Sequence, residues 1–557
     1  MKPPLKLFFT ITAFLLAVSQ LFGQSVDTAT ARKIDALFKI WDKKNGPGCA
    51  IGILRNDSLI YAKGYGMANL EYGIPITTKT IFEMGSVSKQ FTAYTILLLA
   101  HQGKLKLDDD IHQYLPWLPD FEKKITISNL LYHTSGIRDY DQLLQIAGTT
   151  SEDVITREHI IKLLSKQQTL NFDPGEQYMY SNSGYFLLGE IVQSVTGKTL
   201  RQFTDSAVFK PLGMNNTHFH DDYTEVVNNR AYPYLRANMI SIVNSSAVGA
   251  KGLLTNIDDM SKWAVILSNG ESPFYPVMQQ LLHSGKLNSG KETGVGAGIQ
   301  MDDFEGFKMY FHGGIDGGYH AHIEYIPGAK MAFVLFSNDG SSYLGNINDE
   351  LNGLFIKPKL RGKTDVPIKL RGDSIITDTA SAKPLLGPYI VDDGDITAFK
   401  LKDNKFYYVE SGTSYLLQRT ARDSFYYAGF STGINFAFAR KTNGKITARQ
   451  TWPGGWSRNM IKTANSNLSN KQLSVYTGRY YSRELDCSYS IALKDHQLIL
   501  TNTKYKDSPL TIYDETRLLN TLDWMRTLIV TRDKKGKVTG FEVNHNLIQD
   551  LRFEKVE

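Results

Sequence analysis

The sequence has little cysteine and no marked excess of charge of one sign. Two of its 557 residues are cysteine, Cys49 and Cys487, and they lie far apart in the chain. A framework of disulfides is therefore not expected. Lys and Arg number 62 against 56 Asp and Glu, and basic residues form no run in the chain. A net charge of +6 spread in this way gives no indication of nucleic-acid binding.

The sequence also lacks the ligand spacings of common metal centres. No HExxH or similar motif occurs. The acidic run at 108–110 has no flanking ligands and is predicted to be a loop or a helix cap. The stretch His218, Phe219, His220 is predicted to be a surface loop. We expect neither a bound metal nor an organic cofactor.

Long apolar runs are absent except near the start of the chain. Residues 7–18 are apolar, follow Lys2 and Lys6, and precede Gly23. This pattern is typical of an export signal, so residues 1–23 are predicted to be a signal peptide of a periplasmic or secreted protein. The run is too short to cross a membrane, and no membrane span is expected after the signal is removed.

The length of the chain predicts several domains, because one core does not grow to this size. Residues 24–357 mix helical and strand-like patterns, 358–380 form a polar linker, and short alternating strands follow. Gly387 and Tyr389 recur as Gly478 and Tyr480, an offset of 91 (478 minus 387). Two copies of one β module are therefore predicted, each closed as a small antiparallel barrel, over 381–466 and 470–557.

A serine and a lysine three positions apart stand where an apolar helical run begins. Ser86 and Lys89 would share one face of the first helical turn, at the positive end of the helix dipole. A lysine shielded from water loses its proton more easily and becomes a base. Taken alone, the pair is better explained by a serine N-cap and a surface lysine than by catalysis.

Two further groups of polar residues stand in strand-like or turn contexts. Tyr180 and Asn182 follow a Pro-Gly turn and would project to the same side of an extended segment. A phenol can act as acid or base, and an amide can donate and accept hydrogen bonds. His312 is followed by two glycines, as where a substrate approaches the backbone closely. His133, beside Ser135, is predicted to be a buried histidine bonded to loop carbonyls rather than a catalytic group.

In this order, residues 86–89, 180–182 and 312–314 resemble the three active-site motifs of the penicillin-recognising serine hydrolases, in the branch of class C β-lactamases and D-aminopeptidases. The resemblance implies an α/β (α+β) domain with an antiparallel sheet flanked by helices, followed by two lipocalin-like all-β barrels as in D-aminopeptidase. In that architecture a barrel loop reaches into the cleft. The loops around Trp456 and Trp524 are the candidates here.

The resemblance also implies roles for the motif residues. Ser86 would form an acyl-enzyme, with Lys89 and Tyr180 jointly moving its proton. The backbone N–H groups of Ser86 and Ile315 would form the oxyanion hole. The expected substrate-binding residues are Asn182, His312, Gly313 and Gly314. Which of the lysine and the tyrosine is the formal base stays open, because two coupled groups share their titration.

The third motif departs from the Lys-Thr of β-lactamases. His312 and Gly313 offer a titrating imidazole and no hydroxyl, so recognition of a substrate carboxylate should be weak. The His-Gly-Gly form resembles that of D-aminopeptidases, and this resemblance implies amide bonds of D-amino-acid-containing peptides as substrates, as in a D-aminopeptidase or a D-Ala-D-Ala peptidase. A carboxylesterase or a weak β-lactamase on the same scaffold is the alternative, and a non-catalytic ligand-binding or sensor protein is the alternative of another class. The sequence allows an oligomer without specifying one.

Overall fold

The structure is a computed structural model. It describes residues 25–556 other than 151, 237–238, 269–271, 342–343, 357–377, 392–395, 411–412, 428–433, 442–443, 452–456, 463–467, 521, 523 and 546. The predicted signal peptide, most of the predicted linker and Trp456 lie outside the described residues.

Helices occupy mainly the first two thirds of the described chain. They are α1 Thr28–Leu37, α2 Ser88–His101, α3 Ile127–Leu131, α4 Tyr140–Ala147, α5 Arg157–Leu164, α6 Asn182–Thr196, α7 Leu200–Thr204, α8 Ile257–Ser268, α9 Tyr275–Leu281, α10 Gly345–Phe355, α11 Thr379–Ala382 and α12 Asn470–Leu473. Short 3-10 or π turns lie at Gly85–Val87, Ile111–Gln113, Asp205–Phe209, Pro327–Ala329, Lys383–Leu385 and Ser474–Tyr476.

Strands of the first domain are β1 Cys49–Arg55, β2 Ser58–Tyr65, β3 Met67–Asn69, β4 Ile74–Pro75, β5 Phe82–Glu83, β6 His218–Phe219, β7 Tyr234–Arg236, β8 Met239–Ile240, β9 Leu253–Thr255, β10 Val295–Gly296, β11 Ile299–Phe304, β12 Phe307–Asp316, β13 Tyr319–Ile326 and β14 Met331–Ser337. Seven of them form an antiparallel sheet in the order β10-β11-β12-β13-β14-β1-β2. β1 and β2 form the hairpin expected from the sequence. Its turn residues Asn56 and Asp57 both have positive φ, as a tight two-residue turn requires.

Helices cover both faces of this sheet. α8 packs against β1 and β14 on one face, and α1 and α10 pack together on the other. α2 is buried on nearly all sides, between α6 and α9. The result is the antiparallel sheet flanked by helices that the resemblance implied. The helix that follows Ser86 lies buried among the helices of this domain.

The strands of the first barrel are β15 Gly387–Val391, β16 Ile396–Lys402, β17 Lys405–Glu410, β18 Thr413–Ala421, β19 Ser424–Tyr427, β20 Ile434–Arg440, β21 Ile446–Thr451 and β22 Ser457–Lys462. Those of the second are β23 Gly478–Ser482, β24 Cys487–Lys494, β25 Gln497–Thr501, β26 Ser508–Asp514, β27 Arg517–Leu519, β28 Thr527–Arg532, β29 Val538–His545 and β30 Ile548–Lys555. Each set closes into an eight-stranded antiparallel barrel, and this confirms the prediction of two barrels.

The repeat is visible in atomic detail. Tyr389 donates its hydroxyl hydrogen bond to the carbonyl of Leu385 at 2.9 Å, and Tyr480 does the same to Tyr476 at 2.6 Å. Both tyrosines are buried, so the bond satisfies a hydroxyl that water does not reach. The echo in the sequence therefore marks equivalent positions in two copies of one module.

Both cysteines, Cys49 and Cys487, are free thiols. Among the described helices, none is long and apolar enough to cross a membrane.

Candidate active site

Ser86 lies in the tight turn that leads into α2, and two side chains converge on its hydroxyl. Lys89 Nζ donates to Ser86 Oγ at 3.0 Å. Tyr180 Oη donates to the same oxygen at 2.6 Å. The serine is half-buried and is one of the residues that line a cavity of about 350 Å³. The sequence predicted this convergence of three residues separated by up to 94 positions.

Lys89 is fully buried one helical turn after Ser86. Besides the serine, its ammonium donates to Asn182 Oδ1 at 2.8 Å and to the carbonyl of Ala250 at 2.9 Å. Burial lowers the pKa of Lys89 to about 7, against the opposing attraction of the nearby carboxylates Asp139 and Asp141. A lysine with this pKa is partly neutral at pH 7 and has the lone pair that a base needs.

Tyr180 is held from behind by a histidine. The ring of His133 stacks on the ring of Tyr180 with centroids 4.6 Å apart, and its Nδ1 accepts the N–H of Ser181 at 3.1 Å. His133 is buried, as predicted, but the polar group that it satisfies is a backbone N–H and not a carbonyl. Burial raises the pKa of Tyr180 well above its usual range, so the phenol keeps its proton.

Asn182 begins α6, capped by Ser181, whose Oγ accepts the N–H of Gly184 at 3.3 Å. The amide oxygen of Asn182 accepts from Lys89, and its Nδ2 donates to Asp141 Oδ2 at 3.2 Å. Both ends of this amide are therefore engaged inside the protein. A substrate that bonds to Asn182 must share or replace one of these contacts.

His312 lies on β12 at the edge of the cavity and is 4% exposed. Its Nδ1 lies 2.6 Å from the carbonyl of Gly313, which makes Nδ1 the protonated nitrogen of a neutral ring. Burial, with repulsion from Lys89, lowers the pKa of His312 to about 4. The expectation of an imidazole that titrates near neutrality was wrong, because the ring is not in water.

The strand β12 and the turn before α2 meet through glycines. A Cβ on Gly314 would lie 1.9 Å from the carbonyl oxygen of Met84 and 3.1 Å from the nitrogen of Ser86. A Cβ on Gly85, which has φ of +49°, would lie 2.4 Å from the nitrogen of Ile315. Only glycine permits this approach. The backbone nitrogens of Ser86 and Ile315 therefore both lie beside this contact.

A buried network of charges lies behind these residues, and sequence reasoning missed it. Two lysines stand among four carboxylates, and the members are Glu83, Lys89, Asp139, Asp141, Lys251 and Asp316. Burial raises the pKa of Glu83 to about 8 and that of Asp139 to about 6. Asp139 accepts the N–H of Asn182 at 2.6 Å. The part of the sequence that could have indicated this network is the Arg-Asp-Tyr-Asp stretch at 138–141. It is not one of the three motifs that resemble the family.

The stretch at 218–220 is not the surface loop that we expected. His218 and Phe219 form β6, Phe219 lies in the core, and His220 is buried. Both imidazoles face Glu225, at 3.7 and 3.5 Å. However, Arg201 binds both carboxylate oxygens of Glu225, and Arg230 lies 3.3 Å from His220 Nε2. Two guanidinium groups already neutralise the cluster, so it does not favour a metal ion.

Residues of the second barrel contact the helix α4 beside the site. Trp524 stacks near Tyr505, whose hydroxyl donates to the carbonyls of Gln145 and Thr149 at 2.6 and 3.0 Å. This contact lies at the end of α4, and Trp524 is not among the described residues that line the cavity. The hairpin between β29 and β30 also contacts α4, because the N–H of Leu547 donates to Gln142 Oε1 at 3.3 Å.

A helix-flanked antiparallel sheet with a serine at the head of its central buried helix is the β-lactamase-like fold. The chain belongs to the Beta-lactamase family, whose model matches residues 30–352.

Two curated relatives show how far the likeness extends. A D-aminopeptidase of Gluconobacter oxydans (strain 621H) is 27% identical over 322 residues, which are 57% of this chain and 60% of that protein. Penicillin-binding protein 4* of Bacillus subtilis (strain 168) is 30% identical over 207 residues, 37% of this chain and 45% of that protein. The chain thus spans 60% of the length of the first relative and 45% of the second.

Among solved structures, the octameric penicillin-binding protein homologue from Pyrococcus abyssi superimposes with a TM-score of 0.55 at 23% identity. The match covers 78% of this chain and 100% of that one. At this identity the likeness concerns the fold.

Proposed function

We propose that this protein is a serine hydrolase that forms an acyl-enzyme on Ser86 and cleaves amide bonds of peptides or amides containing D-amino acids. The observation that carries the proposal is the double contact on Ser86 Oγ, from Lys89 at 3.0 Å and from Tyr180 at 2.6 Å. A hydroxyl held between an amine and a phenol has its proton acceptor and its proton donor already in place.

The pKa of Lys89 is lowered and that of Tyr180 is raised, so the lysine suits the role of base and the tyrosine the role of acid. Lys89, with a pKa lowered to about 7, takes the proton of Ser86 as Oγ attacks the carbonyl carbon. Tyr180, whose pKa is raised, gives its proton to the leaving nitrogen and regains one from Lys89. The C–N bond breaks and the acyl group stays on Ser86. A water molecule then attacks the ester carbon and gives a proton to Lys89. The bond from the acyl carbon to Ser86 Oγ breaks, Tyr180 gives its proton to Oγ, and Lys89 returns a proton to Tyr180.

The negative oxygen of each tetrahedral intermediate would be held by the N–H groups of Ser86 and Ile315. These groups lie where the strand and the turn touch through Gly314 and Gly85. Preorganised donors of this kind are typically worth about 3–4 kcal/mol of barrier reduction each. Asn182, His312, Gly313 and Gly314 would bind the acyl part of the substrate.

The lining of the cavity narrows the substrate. Its described residues include Phe311, Ile315 and Leu344, with His312 neutral, and no Asp, Glu, Lys or Arg is among them. A cavity whose described lining contains no Lys or Arg offers no fixed cation to a substrate carboxylate, so penicillins and cephalosporins are poor candidates. The relation to a D-aminopeptidase supports D-residue amides and short D-peptides. The same neutral lining favours uncharged esters, so carboxylesterase activity is the second candidate.

The decisive experiment treats the purified protein with a fluorescent alkyl fluorophosphonate and maps the adduct by mass spectrometry. We expect one adduct on Ser86, and none with Ser86→Ala. Folded protein without an adduct would instead support the non-catalytic ligand-binding or sensor alternative.

The substrate is then decided by rates on a matched panel. D- and L-aminoacyl anilides, D-Ala-D-Ala peptides, short-chain aryl esters and a chromogenic cephalosporin are compared at one enzyme concentration. We expect the D-anilides to be cleaved faster than their L-enantiomers and much faster than the cephalosporin. Rapid cephalosporin turnover would overturn the substrate assignment and leave the acyl-enzyme assignment standing.

We also propose export, based on Lys2, Lys6 and the apolar residues 7–18. Expression of the full chain in a bacterial host, followed by fractionation and N-terminal sequencing, tests this. A mature chain that starts near Gln24 is the expected result.

A further inference from the structure

Lys251 is a largely buried cation outside the three motifs, and it joins two walls of the cleft. Its Nζ lies 3.2 Å from Asp141 Oδ1 and 3.4 Å from Asp316 Oδ1, and its side chain is 15% exposed. A buried lysine is costly unless it is paired, and here two carboxylates from different elements pair it.

The two carboxylates belong to opposite sides of the site. Asp141, in α4, accepts the Nδ2 hydrogen of Asn182 at 3.2 Å, and Asn182 in turn accepts from Lys89. Asp316 ends β12 and directly follows Ile315, whose N–H is the proposed second oxyanion donor. One ammonium therefore links the Lys89–Asn182 pair to the strand that would hold the oxyanion.

The segment of Lys251 is also tied to the turn of Ser86 by a shared carboxylate. Glu83 accepts the N–H of Gly252 at 2.7 Å with one oxygen and the N–H of Gly85 at 2.8 Å with the other. A displacement of Lys251 would thus be transmitted to the residue before Ser86 as well as to Asn182.

The charges that face Lys89 act in both directions. Glu83, Asp139 and Asp141 favour its protonated form, whereas Lys251 disfavours it, and burial is the largest effect. The neighbouring imidazoles His133 and His312 have pKa values lowered by burial, so they stay neutral near pH 7. Among these groups, Lys251 is the positive charge that adds to burial in favouring the neutral form of Lys89.

We propose that Lys251 is a positioning residue of this hydrolase: it clamps Asp141 to Asp316 and adds a positive charge to the group of side chains around Lys89. The proposal rests on the proposed function, because it assigns Lys251 to the reaction at Ser86. It predicts that changing the clamp alters both the rate and the pH dependence of the reaction.

The test uses the rate of inactivation by a fluorophosphonate from pH 5 to 10, which needs no natural substrate. In Lys251→Met, the acid limb should move upward by about one pH unit, because the carboxylates lose their counter-charge and attract a proton to Lys89. The plateau rate should fall about tenfold or more as Asn182 and the β12 strand lose their common anchor. Lys251→Arg keeps the charge and should return the limb to its original position.

Asp316→Asn gives the opposite sign and guards against a lysine variant that does not fold. Removing this carboxylate leaves Lys251 less compensated, so the acid limb should move to lower pH. Lys494→Met is the matched control, because Lys494 forms an exposed pair with Asp507 at 3.0 Å in the second barrel. Its profile should coincide with that of the wild type.

The outcomes separate this proposal from the proposed function. If wild-type Ser86 is not labelled, the function itself fails. If wild-type Ser86 is labelled but folded Lys251→Met keeps the limb and a plateau within twofold, the clamp is overturned and the hydrolase stands. An Asp316→Asn limb that stays in place or moves upward would equally overturn the clamp.

Discussion

The two barrels share a topology and a repeat, but they relate differently to the hydrolase domain. Buried side chains of the second barrel, among them Tyr489, Leu498 and Leu551, are continuous with the core of the hydrolase domain. Buried side chains of the first barrel, such as Phe406 and Leu417, form a cluster of their own. One copy of the module has become part of the body of the enzyme, and the other encloses a separate core.

The docking of the second barrel centres on one buried ion pair. Arg138 Nη1 lies 2.8 Å from Glu484, with side-chain exposures of 0% and 6%. The same guanidinium donates to the carbonyls of Gln549 and Asp550 at 2.9 and 3.2 Å. A buried arginine needs several acceptors, and the barrel supplies three of them.

The Arg138–Glu484 pair lies next to the segment that holds Asn182. Arg138 precedes Asp139, which accepts the N–H of Asn182, and the carbonyl of Arg138 accepts the hydroxyl of Ser183 at 2.6 Å. The barrel therefore supports the wall from which Asn182 projects. The difference between the copies shows that a repeated module acquires a role through the few side chains at its docking surface.

The largest effect should come from breaking this ion pair. Arg138→Met leaves Glu484 buried without its partner and should lower the unfolding free energy of the hydrolase–barrel unit by about 3–5 kcal/mol. Because the 138–140 segment supports Asn182, labelling of Ser86 should slow as well. Thermal unfolding and fluorophosphonate labelling measure the two effects.

The matched change in the first barrel is Arg458→Met, since Arg458 pairs with Glu410 and donates to Tyr408 at 2.6 Å. It should destabilise its own barrel and leave the labelling rate of Ser86 unchanged. A labelling rate that falls equally in both variants would show that the two barrels are coupled to the site alike.

Core truncation should give the next largest effect and should separate the two clusters. Leu498→Ala and Leu417→Ala each remove a fully buried leucine, at a cost of about 2–5 kcal/mol. Leu498→Ala should lower the melting temperature of the unit that contains the active site, whereas Leu417→Ala should shift a separate transition. Calorimetry of both variants decides this, and one common transition shifted by both would contradict two independent cores.

The pH dependence of Ser86 labelling should report the protonation of Lys89 and not the contacts that the barrels make. Because Lys89 acts when neutral and its pKa is about 7, the labelling rate should fall up to tenfold per unit below pH 7 and level off above it. Asp139 and Glu83, with pKa values raised by burial to about 6 and about 8, titrate in the same range and broaden the limb.

The same profile should be found in Leu417→Ala, because the charges that chiefly shift the pKa of Lys89 lie in the hydrolase domain. His312→Gln should also keep the midpoint, since the pKa of His312 lies at about 4. A midpoint that follows His312 rather than Lys89 would show that the imidazole is the base.

The smallest effects should come from single hydroxyls. Tyr489→Phe removes a 2.9 Å hydrogen bond to the carbonyl of Ile146 across the docking surface, and Tyr389→Phe removes the internal bond to Leu385. Each should cost about 1 kcal/mol. Calorimetry should show the first loss in the hydrolase transition and the second in the transition of the first barrel. The reverse assignment would contradict the comparison.

The sequence alone determined the fold class, the two barrels and the reactive cluster. The two β modules follow from the 91-residue echo, whereas the fold class and the cluster follow from the resemblance of the three ordered motifs to a known family. Each motif is short, and the order of the three motifs predicts which segments of the chain come together in the fold. The assignment of roles to these residues stays a prediction until Ser86 is tested.

Only the tertiary structure decided what surrounds that cluster. Lys251, Asp141 and Asp316 are distant in sequence and have no motif, and they acquire meaning only because folding buries them together. The protonation states of His312 and Lys89 could not be predicted from the sequence either, because a pKa depends on how far folding removes water from the group. Which barrel docks depended on Arg138 meeting Glu484 across 346 positions, a contact that no local pattern encodes.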